Sequence, residues 1–146
     1  MQTSDDRPQE RGGTEPGDGE TVYEEYVLGV RIVEFDDGGG PRYRFEAPQH
    51  TGVTFEDPDM ATLYADVYFD TNGFQEVGTG DRGVPPEIIQ AGRDTLAAYF
   101  LTQPGTDVHW VASFYGKKPK VIERYVSGVR HRAEEIREGV RERGME

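Results

Sequence analysis

The chain has 146 residues and a formal net charge of −12, with 28 Asp and Glu against 16 Lys and Arg and no cysteine. That length supports one domain with one core, and the missing cysteine excludes a disulfide scaffold, thiol catalysis and thiolate metal sites. No run of about 18 apolar residues is present, and the polar start lacks the basic and apolar segments of a signal peptide, so a cytoplasmic protein without membrane contact is expected.

Leu, Ile, Val and Phe make up 30 of the 146 residues, close to the ~20% level below which chains stay disordered. Residues 1–20 hold none of them. With its Gly, Pro and acidic side chains this stretch reads as a disordered acidic tail, leaving 21–146 as a single domain with a modest core. Thirteen Arg stand against three Lys, which are Lys117, Lys118 and Lys120. Acid excess, Arg in place of Lys, and many Val and Gly resemble the style of proteins from salt-loving archaea, a likeness of composition and not of a family. The self-repulsion of such a chain largely vanishes at about 1 M salt, where the Debye length is ~3 Å.

Thr21 to Phe35 alternates, with Tyr26, Leu28, Val30 and Ile32 on one face and Val27, Gly29, Arg31 and Val33 on the other. The pattern predicts a long strand covered on both sides and bent at Gly29. Asp36-Asp37-Gly38-Gly39-Gly40-Pro41 is turn material, and a second strand follows through Glu46, with Tyr43 and Phe45 opposite Arg42, Arg44 and Glu46. This reads as a hairpin. The three glycines do not lead into a helix N-terminus, as a phosphate-cradling loop would. Thr51 to Phe55 adds a short third strand.

For 58–71 two patterns compete. As a helix it has Asp57 as N-cap, Pro58 in the first turn, a stripe of Met60, Leu63, Tyr64, Val67 and Tyr68, and Asn72-Gly73 as a stop; as a strand, Leu63, Ala65, Val67 and Phe69 alternate. The start and stop signals favour the helix. Gly80-Asp81-Arg82-Gly83-Val84-Pro85-Pro86 is a loop, and its prolines open a helix over 86–101. Thr106 to Tyr115 reads as a strand, with Val108, Trp110, Ala112 and Phe114 alternating against the rest. A long helix over about 119–142 closes the chain, with Ile122, Val126, Val129, Ala133, Ile136 and Val140 on a heptad seam suited to covering the sheet or to contacting a second copy. The expected architecture is α+β, a small mainly antiparallel sheet of three to four strands packed by about three helices.

Three function classes are compatible with these residues. A non-enzymatic interaction or accessory protein of a halophilic cytoplasm, self-associating or binding a protein partner through the final helix, leads because no sharp catalytic motif is visible. A nucleic-acid or phosphate-ligand binder would use Lys117, Lys118, Lys120, Arg124 and Arg130, with Tyr115 to stack; the region 116–146 is the only net basic part of the chain. Salt weakens such binding and the acidic body opposes a polyanion, so nucleic acid is disfavoured. A small enzyme would draw on Asp107, His109 and Tyr115 along one strand face, with Ser113, Arg93 or Lys117 nearby. His50, His109 and His131 lack metal-ligand spacing, and the abundant carboxylate pairs read as hydrated surface charge, so no metal or cofactor is expected.

Overall fold

The structure is a computed structural model, and residues 16–76 and 84–144 are described. They form an α+β fold in which four strands, β1 (Thr21–Glu25), β2 (Arg31–Asp36), β3 (Pro41–Glu46) and β4 (Val53–Phe55), precede five helices. The helices are α1 (Pro58–Asp70), α2 (Pro86–Ala91), α3 (Arg93–Leu101), α4 (Val108–Tyr115) and α5 (Pro119–Glu142). The strands make an antiparallel sheet in sequence order.

Register places the core side chains together. Ile32 pairs with Phe45, which pairs with Val53, and Tyr43 pairs with Phe55. Directly opposed residues share a face, so these side chains make one apolar surface, and Phe45 and Phe55 meet Tyr64 of α1 at ring distances of 5.0 and 5.3 Å. On the reverse face Arg31 pairs with Glu46 at 2.9 Å, and Arg44 holds both Glu46 and Glu20. Glu20 is therefore fastened to the sheet, whereas residues 1–15 of the expected tail lie outside the described residues.

The expected continuous strand over 21–35 is two strands. Leu28 and Gly29 both have positive φ, 61° and 74°, and Tyr26 N donates to Val30 O at 2.8 Å. This is the doubly left-handed turn that matches strand twist. In the next hairpin Asp36 Oδ1 accepts from the Gly38 and Gly40 amides and Asp37 Oδ1 from Gly39, so carboxylates of the turn itself take up the amides of the glycine run.

α1 forms with the expected cap, Asp57 accepting from Asp59 N at 2.8 Å, and with Pro58 in its first turn. It lies between the sheet and helices α3 and α5, and is consequently buried almost all round, including Asp66. The helix expected over 86–101 breaks at Gly92, whose φ of 117° separates α2 from α3.

The expected strand at 106–115 is a helix. Asp107 is an extended N-cap that accepts from Trp110 N at 2.8 Å, and Gly116, at φ 67°, is a left-handed C-cap. Eight residues fit either period: Val108, Val111, Ala112 and Tyr115 also fall at helical spacing, and in the structure Val111 and Ala112 are buried while Trp110 and Phe114 are exposed. The two caps decide between the periods.

α5 runs 24 residues, about 36 Å. Ile122, Val129, Ala133 and Val140 of its seam are buried, and Val126 and Ile136 partly so, against the chain's own core. A seam filled this way is already covered by α1 and α3 within one copy.

Candidate functional site

The N-terminal end of α1, the α3–α4 connection and the middle of α5 enclose a groove of about 840 Å³. Phe55, Met60, Leu63, Leu101, Val108 and Val126 give it an apolar lining. Glu56, Asp57, Asp107 and Glu123 surround it with carboxylates, and all four are exposed. Asp57 and Asp107 use one oxygen each to cap α1 and α4, which leaves the second oxygen of each outside its cap. Glu56 is 3.9 Å from Arg42, and among the described residues Glu123 has no ion pair.

Arg130 is the one cation lining the groove among the described residues, and its charge is already engaged. Its Nη1 donates to Asp66 Oδ2 at 2.6 Å and its Nη2 reaches Asp59 O at 3.4 Å. Behind it, Arg137 Nη1 donates to Asp66 Oδ1 at 2.9 Å while its guanidinium lies 5.0 Å from the Tyr26 ring and 5.1 Å from that of Phe69. Burial pushes the Asp66 carboxyl above its usual range, and the contacts with Arg137 and Arg130 only partly offset it. Burial pulls on the Arg137 proton too, but Asp66 and Glu134 outweigh it, so Arg137 stays charged. A second set, Arg132 with Asp70 and Asp94 at 2.9 Å, joins α5 to α1 and α3 in the same way. These arginines are structural, and they anchor the groove's α5 wall.

The groove offers apolar surface and carboxylates. Thr102 and Thr106 donate their hydroxyl protons to the carbonyls of Tyr99 and Phe100, both at 2.6 Å, so neither hydroxyl is held by a base. No His or Lys lines the groove among the described residues. Nor do three or more His, Cys, Asp or Glu side chains converge anywhere in them closely enough to hold a metal ion. The rim carboxylates are spread around the opening, an arrangement that attracts a distributed positive charge.

The sequence-stated site residues part company here. Asp107 lines the groove, but His109 is exposed on α4 outside it, and Tyr115 sits at the far end of α4 with its hydroxyl donated to Arg93 O at 3.0 Å. A shared strand face for the three does not exist, because the segment is helical. Lys117, Lys118 and Lys120 are exposed and, among the described residues, without ion pairs, and Arg124 is exposed on α5; Arg130 lies apart from them in the groove wall. The loop 77–83, with Asp81 and Arg82, lies outside the described residues.

Two features escaped the sequence reading. Trp110 and Phe114 stack on the outside of α4, with ring centres 5.5 Å apart and planes 6° off parallel, over Phe100. They are 45% and 61% exposed. Their i, i+4 spacing is the signal that would have found them. The other feature is a polar chain inside the aromatic core: the Gly52 amide donates to His50 Nδ1 at 2.9 Å, His50 Nε2 lies 3.1 Å from Tyr64 Oη, and Tyr64 and Tyr99 both donate to Glu76. With Nδ1 accepting, Nε2 carries the proton and donates to Tyr64. Burial holds the His50 pKa below the ordinary value despite the charge of Glu76, and burial and Glu76 together raise Tyr64 and Tyr99.

No protein-family model matches this chain, and neither a curated protein nor a solved structure matches it.

Proposed function

We propose that the chain is a binding protein and not a catalyst, an accessory component of a salt-rich cytoplasm that captures an apolar partner segment carrying basic side chains. The observation that carries this reading is the groove: an apolar lining inside four rim carboxylates, with the one cation that lines it among the described residues, Arg130, neutralised from behind. Apolar burial supplies affinity in such a site, and the ring of like charge selects which partners enter. An acidic or polyanionic ligand is repelled at the same opening.

The test is a fluorescence-anisotropy titration with a labelled peptide that alternates Leu with Lys, against the same peptide with Glu in place of Lys. Saturable binding of the basic peptide alone is expected, weakened by about tenfold or more in a Glu56→Lys/Glu123→Lys variant, about 1.4 kcal/mol. Both positions are exposed and cap no helix, so the variant should keep its fold. Equal binding of both peptides, or no binding, overturns the proposal.

The salt-rich setting rests on the −12 charge. Thermal unfolding should shift upward between about 0.1 M and about 1 M KCl, as the Debye length falls from ~10 to ~3 Å; an unchanged midpoint removes the halophilic part of the reading.

A further inference from the structure

We infer that the outer face of α4 is a self-complementary docking surface for a second copy of this chain. Three observations meet there. Trp110 and Phe114 form a stacked, exposed pair supported by Phe100. The N-terminal end of α4 is acidic at Asp107, which lines the groove together with Glu123 of α5. The other end runs through Gly116 into Lys117 and Lys118, and these lysines have no ion pairs among the described residues.

A two-fold axis through the Trp110–Phe114 pair sets two α4 helices antiparallel. Each copy's lysines then face the other's Asp107 and Glu123, and the four rings close over one another. Isologous contacts require this kind of self-complementarity, because the same patch serves both sides. A stable interface buries about 800 Å² per partner, whereas the exposed parts of two aromatic side chains supply roughly 200 Å²; the charged ends of α4 therefore have to lie inside the contact. Their opposite signs make that favourable. A single-stranded nucleic acid would meet the same rings and lysines, but it has no cation to set against Asp107 and Glu123, whereas a second copy brings Lys117 and Lys118.

The inference goes beyond the groove proposal but shares Asp107 and Glu123 with it; Trp110 and Phe114 do not line the groove, so Phe114→Glu tests the dimer alone. Sedimentation equilibrium of the full chain at about 0.5 M KCl, where the Debye length is ~4 Å, should give twice the 16.4 kDa of one copy. Emission from Trp110, the only tryptophan in the chain, should shift to the red as the dimer is diluted. Phe114→Glu should be monomeric with an unchanged far-ultraviolet spectrum, and should bind the basic peptide at least as tightly as the wild type, since Asp107 and Glu123 no longer face a partner's lysines. Lys117→Glu/Lys118→Glu and Asp107→Asn/Glu123→Lys should each be monomeric alone and should form a one-to-one dimer when mixed; Asn keeps the helix cap.

The inference is overturned by a wild-type chain that stays monomeric up to about 100 µM, a weak affinity by protein standards. It is equally overturned if Phe114→Glu remains dimeric, if the two charge variants fail to pair, or if the monomer binds a single-stranded oligonucleotide that the lysine variant does not.

Discussion

Asp66 and Arg137 are charged residues shut inside the helical layer, whereas Trp110 and Phe114 are aromatic residues left on its outside. Each departs from the usual distribution of side chains, and the structure treats them differently. The interior charges are matched: Asp66 accepts from two guanidiniums, and Arg137 lies over two rings and also holds Glu134. Among the described residues the exterior rings have each other, Phe100 and, for Phe114, Tyr115. Folding matches the charges of the first region within one copy and leaves the rings of the second exposed.

Cutting the inner network should have the largest effect. Arg137→Met leaves Asp66 buried with only Arg130 as counterion and should cost about 3 to 5 kcal/mol, read as a lower denaturation midpoint at unchanged slope. A loss under about 1 kcal/mol would mean that the pair is no more than a surface bridge.

A smaller effect comes from His50, another titratable group held inside by a fixed set of bonds. Its pKa is depressed by burial, so the folded state binds its proton less readily than the unfolded chain. The stability it contributes is fully present above its unfolded value of about 6.5 and is lost as pH falls through the lower folded value. Protonation would put a second proton on Nδ1 and break the Gly52 contact. His50→Gln should therefore lose less stability than the wild type between about pH 7.5 and pH 5.5, measured by thermal melting. The smallest effect belongs to the outer face: Phe114→Ser should change the stability of the monomer by no more than about 0.5 kcal/mol.

The legible parts of the fold were those with punctuation in the sequence. Asp57, Pro58 and Asn72-Gly73 delimit α1, and both Asn72 and Gly73 take the positive φ that a stop uses. Asp107 and Gly116 delimit α4 in the same way, yet eight residues of alternating apolarity concealed it, since period two and period 3.6 cannot be separated over so short a run. Val27-Leu28-Gly29-Val30 concealed a turn because Leu28 adopts a conformation rarely used by its residue type. The groove was out of reach for a different reason. Its lining comes from segments as far apart as Phe55 and Arg130, and Glu56 and Asp57 became a rim only once α5 and the α3–α4 connection stood opposite them. The excess of Arg over Lys, read from composition as a mark of salt, also has a local meaning: Arg44, Arg130, Arg132 and Arg137 each bind more than one oxygen, a task suited to a planar fork of donors.

One consequence follows from β1. It stands at the border of the sheet with every residue exposed, its pairing with β2 slips between Val22 and Glu24, and it carries Glu24 and Glu25. A crooked, anionic border is a poor template for strand addition. A second copy is thereby discouraged from zipping onto the sheet at this border.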